Sequence, residues 1–256
     1  MLGFSALILI ALSLLDDYNY IELSCILIFI ASLIDVFDGK VARKLGTSGD
    51  FGKELDSLAD IISFCLAPSF LIFFYAYDLV SVGLPYLIFI SFSPLVCGAI
   101  RLARFNIHFE QSDNLYYLGL PTPANAIFIC SSILFMLQPS NIILAEFGIS
   151  NFNIFNLIKY GFFTIYTLIS EYTIIVLFFI SSMLMVTNIS YLKFPIIKLN
   201  ATKNNLVNII CIIISVIFIF IGILNKEYHI VILFFISYYI VSGMIKAIIH
   251  KINGGI

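Results

Sequence analysis

The sequence predicts an all-α, polytopic transmembrane bundle of about eight helices, and three observations carry that expectation. Hydrophobic residues make up 61% of the 256-residue chain and charged residues only 11%, far from the balance of a soluble domain. Its apolar runs repeatedly reach the roughly 20 residues that a helix needs to cross a bilayer. Its 13 lysines and arginines also sort to one side once those runs are threaded through a membrane.

Apolar helices are expected at about 1–15, 20–46, 51–76, 83–106, 121–138, 168–188, 205–224 and 229–250. The first run has no basic leader and no small-residue cleavage site before Asp16, so it reads as a retained helix. From Met1 to Leu15 it would reach only about 22 Å, short of a hydrocarbon core of about 30 Å. With the loop after the second helix placed in the cytoplasm, Lys40, Arg43, Lys44, Lys53, Arg101, Arg104, Lys193, Lys198, Lys203, Lys246 and Lys251 fall inside. Only Lys159 and Lys226 fall outside, and this 11 to 2 split supports the count and puts both termini in the cytoplasm. The segment 139–167 is Asn- and Phe-rich, too irregular for a crossing and too apolar for a free loop. It is expected at the outer interface or partly re-entrant, because a crossing there would invert the chain and place the lysines at 193–203 outside. There is no internal repeat, and residues 1–256 read as one membrane domain.

A net charge of −2 offers no basic face for nucleic acid. Cys25, Cys65, Cys97, Cys130 and Cys211 stand singly in apolar runs, without CxxC spacing, and read as buried small hydrophobes. His108, His229 and His250 share no spacing with one another or with a cysteine, which argues against zinc and for a hard metal held by oxygen.

Against this background one stretch stands out, DVFDGKVARKLGTSGDFGKELDSLAD from Asp35 to Asp60. Carboxylates at membrane depth cost several kcal/mol each, so Asp35, Asp38, Asp56 and Asp60 mark a functional site. On a helix Asp38 lies about 60° from Asp35, Gly39 about 40° to the other side, and Ala42 within about 20°. Gly52, Asp56 and Asp60 are spaced four apart and fall within about 80° on the next helix, which runs back antiparallel after a turn at 46–50. The two stripes can therefore face one another across a cleft. Four close carboxylates need counter-charge, and divalent cations supply it. Gly39 and Gly52 leave room for a ligand against the backbone, and Arg43 can pair with phosphate. Asp50 and Glu54, by contrast, read as solvated loop charges. Arg101, Arg104 and Asn106 end the fourth helix on the cytoplasmic side and have two open readings, anion ligands or interfacial anchors. Pro121 and Pro123 would fix the start of the fifth helix.

The spacing D-x2-D-G-x2-A-R-x8-G-x3-D-x3-D, from Asp35 through Asp38, Gly39, Ala42, Arg43, Gly52 and Asp56 to Asp60, resembles at every position the signature of the CDP-alcohol phosphatidyltransferases. DSLADIISFCLAPS (56–69), RLARFN (101–106), GLPTPA (119–124) and MVTNISYLKFP (185–195) are similar to segments of the bacterial and archaeal phosphatidylserine synthases within that family. The resemblance runs from Ala31 to Pro195. It departs at Cys65, where the family usually has glycine, and at the longer segment 139–167.

The resemblance implies transfer of a phosphatidyl group from CDP-diacylglycerol to L-serine, with CMP released, at the cytoplasmic face of the cell (inner) membrane in a homodimer. It implies two Mg2+ or Mn2+ ions on Asp35, Asp38 and Asp56, with Asp60 beside them as the base toward the acceptor hydroxyl. Asp35, Gly39, Ala42, Arg43 and Gly52 would line the nucleotide side. Arg101, Arg104 and Asn106 would hold the serine carboxylate or the lipid phosphate. Two alternatives stay open: a sister enzyme using glycerol 3-phosphate or inositol phosphate, and a divalent-cation transporter whose path the aspartates line. Against the transporter stand Gly39, Ala42 and Arg43, which suit a phosphate ligand, and the lack of broken helices in repeated halves. Prenyl transfer also uses aspartates and magnesium, but DDxxD-type clusters are absent.

Overall fold

In a membrane every backbone polar group must be satisfied within the protein, and long apolar runs meet that demand as helices. The computed structural model describes residues 1–13, 18–45, 50–79, 83–108, 116–137, 171–192, 222 and 228–252. Over these the chain forms α1 (Leu2–Leu12), α2 (Tyr18–Leu45), α3 (Asp50–Asp60), a π-helical turn (Ile61–Leu66) and α4 (Ala67–Leu79). There follow α5 (Leu84–Ser91), α6 (Ser93–His108), a short strand β1 (Tyr116–Leu118), α7 (Thr122–Met136), α8 (Glu171–Val186), a second strand β2 (Ser190–Leu192) and α9 (Tyr228–Ile252).

Among the described residues, four helical stretches are long and apolar enough to cross a membrane: Tyr20–Asp38, Glu54–Tyr77, Leu84–Ile107 and Tyr228–Ile249. Shorter apolar helices occupy Leu2–Leu12, Thr122–Met136 and Thr173–Val186. The protein is thus a multi-pass membrane helical bundle. The expected crossing at 205–224 and the segment 139–167 lie outside the described residues.

Two prolines shape the long helices. Pro68 has no N–H for the carbonyl of Phe64 and its ring crowds that position. The winding widens just before it, so that the Ala67 N–H bonds to the Ile62 carbonyl five residues back. In the same way Pro94 leaves the carbonyl of Ile90 without its helical donor. The Ser93 hydroxyl donates to Ile90 O at 2.7 Å instead, and the helix notches at Phe92 between α5 and α6. Buried serines elsewhere bond back to their own helices, as Ser24 does to Ile21 O and Ser32 to Phe29 O, each at 2.7 Å.

The larger core joins α1, α2, the π turn, α4, α7 and α8 through Ile10, Ile28, Phe64, Leu71, Ile129 and Phe178. A second cluster of Cys97, Leu120, Met185, Tyr191 and Ile240 packs α6, α7, α8 and α9 around the strands. Those strands form an antiparallel ribbon with Tyr117 opposite Tyr191. Just beyond it the Gly119 N–H donates to Ile189 O at 2.8 Å, and the Leu120 N–H to Leu184 O at 3.1 Å. Gly119 has φ 76°, which glycine alone adopts without strain, and a Cβ there would strike the Met185 carbonyl. Pro121 then caps α7 in extended geometry and Pro123 lies in its first turn. α7 therefore leaves from the end of the bundle to which α8 returns.

The unexpected Cys65 also finds its reason here. Its sulfur fills the space that a side chain on Gly98 of α6 would occupy, so the glycine stands on the facing helix.

Candidate active site

Helical spacing explains why the acids meet. α2 continues through Asp35 and Asp38 to Leu45, α3 begins at Asp50, and each carries one of the acid stripes. One carboxylate oxygen from each of Asp35, Asp38 and Asp56 lies within 4.8 Å of the other two. Two oxygens on one magnesium-sized ion at about 2.1 Å stand roughly 3.0 Å apart when adjacent and roughly 4.2 Å when opposite. The 4.8 Å bound is somewhat wider than that span, so the trio can hold a divalent cation once its carboxylates draw slightly inward. Asp35 is half-buried, whereas Asp38 and Asp56 are exposed at the mouth of the site.

Asp60 stands one turn past Asp56, partly buried, at the point where the π turn begins. Its carboxyl is within hydrogen-bonding reach of Asp35 and is flanked by the charge of Arg101. It thus sits between the acidic trio and a cation. The side of α3 away from the acids carries Phe51, Leu55 and Leu58, all exposed and spaced to form one apolar stripe. α3 accordingly divides an oily surface from a charged cleft.

Of the glycines, Gly52 is exposed, and a Cβ on it would meet nothing within 4 Å among the described residues. Packing among the described residues does not demand this glycine. The α2 backbone passes through Gly39, Ala42 and Arg43 in helical register, and their side chains lie outside the described residues. Asp50 and Glu54, expected in a loop, belong to α3.

The three polar residues of α6 separate into different environments. Arg101 is 7% exposed, its Nη1 donates to Thr122 Oγ1 at 3.5 Å, and its guanidinium lies 6.0 Å from the centre of the Tyr117 ring. Arg104 donates through Nη1 to Val186 O at 3.0 Å and Asn188 Oδ1 at 3.1 Å, and through Nη2 to Thr187 O at 3.3 Å. A cation on the last carbonyls of α8 also complements that helix's dipole. Asn106 donates through Nδ2 to Ser57 Oγ at 3.1 Å and to both carboxylate oxygens of Glu54 at 3.4 Å. It thereby fastens the end of α6 to α3, next to Asp56. Tyr117 carried no signal in the sequence, Ser57 and Thr122 stood unremarked inside segments that resemble the family, and Glu54 read as a solvated charge, because each acquires its part through a partner distant in the chain.

Acids that can hold a cation, room against a helix backbone and a buried arginine at one end of a membrane bundle are the parts from which a metal-dependent phosphoryl-transfer site can be built. The profile of the CDP-alcohol phosphatidyltransferases matches residues 1–189, and the chain belongs to that family. It is 38% identical over 120 residues to a CDP-diacylglycerol–serine O-phosphatidyltransferase of Helicobacter pylori, covering 46% of this chain and 48% of that protein. To the protein of the same name from Bacillus subtilis it is 40% identical over 107 residues, 41% of this chain and 57% of the relative. An archaetidylserine synthase of Methanothermobacter thermautotrophicus is 40% identical over 122 residues, 46% of this chain and 49% of its own length. The chain spans about half the length of the curated relatives it matches.

Proposed function

We propose that the chain transfers the phosphatidyl group of CDP-diacylglycerol to the hydroxyl of L-serine, giving phosphatidylserine and CMP. The observation that carries this reading is the convergence of Asp35, Asp38 and Asp56, with Asp60 held between that trio and Arg101. Serine as the acceptor draws its support from relatives named for that reaction.

Two divalent cations, Mg2+ or Mn2+, held by Asp35, Asp38 and Asp56 with Asp60 alongside, would neutralise the pyrophosphate and the departing CMP. Asp35, Gly39, Ala42, Arg43 and Gly52 line the nucleotide side, where the missing Cβ of each glycine admits cytidine and phosphate. Asp60 takes the proton of the serine hydroxyl as its oxygen bonds to the phosphatidyl phosphorus and the bond to CMP breaks. Arg101 lies on the far side of Asp60 and supplies the positive charge for an anionic group of the acceptor or lipid. Arg104 and Asn106 support it by holding α8 and α3 in place. The exposed stripe of Phe51, Leu55 and Leu58 suits the acyl chains. Residues 1–256 then act as one domain of a homodimer, with the site on the cytoplasmic face of the cell membrane.

The test offers labelled serine, glycerol 3-phosphate or inositol phosphate to the purified protein in detergent with CDP-diacylglycerol and manganese, beside Asp60→Asn. Serine incorporation with CMP release, lost in the variant, is the expected result. Turnover with another acceptor would retain the family and refute serine. Manganese flux without turnover of any acceptor would refute the enzyme reading.

A further inference from the structure

α3 carries half of the acid site, yet from Phe51 to Ala59 none of its described side chains is buried, and Ser57 alone among them is half-buried. The π turn anchors the Asp60 end through buried Phe64 and Cys65. Nearer Asp56 the tie comes from Asn106 of α6. Its Nδ2 donates to Ser57 Oγ at 3.1 Å and to both Glu54 carboxylate oxygens at 3.4 Å, and its Oδ1 accepts from Ser57 Oγ at 3.4 Å. Two amide hydrogens can meet a hydroxyl and a carboxylate at once, whereas an acid in the same place would repel Glu54. Ser57 and Glu54 lie about 100° and 160° round the helix from Asp56, so the amide grips α3 on a shoulder turned away from the trio. Side chains end roughly 5–6 Å from a helix axis, and a turn of about 10° therefore carries the Asp56 carboxylate by about 1 Å. That exceeds the difference between the 4.8 Å bound on the trio's oxygens and the roughly 4.2 Å span of one ion.

We propose that Asn106 is a positioning residue for the metal site: through Glu54 and Ser57 it sets the rotation of α3 about its axis, and with it how far Asp56 reaches toward Asp35 and Asp38. The inference rests on the metal-dependent reading above. It gives Asn106 a part distinct from holding an anion of the acceptor or lipid, because such an anion would have to displace Glu54, a carboxylate already on the same donor. Glu54 in turn is an acid of α3 that serves the site from outside it. Its charge is met by α6, while the acids on the opposite side of the helix are left to the cation.

The test measures Mn2+ binding to the full-length protein in detergent, without substrates, from the loss of the paramagnetic resonance signal of the free ion. Asn106→Ala should bind Mn2+ about 5- to 20-fold more weakly than wild type, the loss expected for one to two hydrogen bonds. In Asn106→Asp the added negative charge would by itself tighten Mn2+, so weaker binding there reports a displaced α3. Asn106→Asp combined with Glu54→Gln exchanges donor and acceptor at unchanged net charge, and should return the affinity to within about threefold of wild type. In each variant the serine KM, taken at saturating manganese, should move less than about threefold, since no acceptor contact is lost. Unchanged Mn2+ affinity in Asn106→Ala, with or without a raised serine KM, would overturn the proposal, as would a loss that the exchanged pair does not restore. Should Asn106→Ala not fold, Asn106→Asp and the exchanged pair decide. A wild-type protein that bound no Mn2+ would overturn the proposal together with the metal-dependent reading, and that shows before any variant is made.

Discussion

Arg104 offers a sharp quantitative test, because its three bonds to the end of α8 give it a structural part that a phosphate ligand would not have. Arg104→Ala removes the donors to Val186 O, Thr187 O and Asn188 Oδ1. The first two are carbonyls at the end of a helix, where no further turn supplies an N–H. At this half-buried position each bond is worth about 1 kcal/mol, for a total of about 3 kcal/mol. At roughly 2–4 °C per kcal/mol for a chain of this size, the midpoint of unfolding should fall by about 6–12 °C. Cys25, Cys65, Cys97 and Cys130 are all buried, so a thiol-reactive dye reports unfolding in detergent. Arg104→Lys, which keeps the charge but not the forked donor, should recover part of the loss. The KM for CDP-diacylglycerol should stay within about threefold of wild type once the protein is folded. An unchanged midpoint together with a tenfold rise in that KM would refute the reasoning and make Arg104 a phosphate ligand.

Three further outcomes follow from the geometry. Asp56→Asn relieves like-charge crowding against Asp35 and Asp38, so in chelator it should melt no lower than wild type while CMP release falls at least about 100-fold; a lower midpoint would show that the trio is stabilising without metal. Gly98→Ala drives a methyl into the Cys65 sulfur and should cost about 1–3 kcal/mol, which Cys65→Gly in the same chain should largely restore, giving a coupling that a double-mutant cycle reads directly. Gly119→Ala forces an L-residue into φ 76° against the Met185 carbonyl and should cost at least about 1–2 kcal/mol, with a lower melting midpoint and reduced serine transfer together.

The helices and the acid stripes were legible because both are local. Apolar runs mark the helices, and the fixed gaps from Asp35 to Asp38 and from Gly52 through Asp56 to Asp60 place side chains on a face through helical pitch alone. Of the four aspartates that pitch sets on two stripes, Asp35, Asp38 and Asp56 bring carboxylate oxygens within 4.8 Å of one another. What could not be read arises from contacts between distant parts of the chain. The strands at Tyr116–Leu118 and Ser190–Leu192 are three residues each, too short to show a period. The bonds of Arg104 to 186–188 and of Asn106 to Glu54 and Ser57 depend on how helices pack, and the reading of Asp50 and Glu54 as solvated loop charges missed that both belong to α3, because a charge open to water looks alike in a loop and on an exposed helix face. The π turn after Asp60 lay between these extremes. Pro68 just beyond it disturbs a helix by itself, but a widened turn has no mark of its own in the sequence.

The ribbon has a consequence for how the enzyme comes into being. A chain emerging into the membrane presents Asp35, Asp38, Asp56, Asp60 and Arg101 early, while β1 still lacks the strand it pairs with. The family-matched segment ends at residue 189 and β2 begins at Ser190, so every acid is in place before the hinge that ties α6, α7 and α8 together can shut. Synthesis thus delivers all four aspartates before roughly the last quarter of the chain supplies the partner of β1.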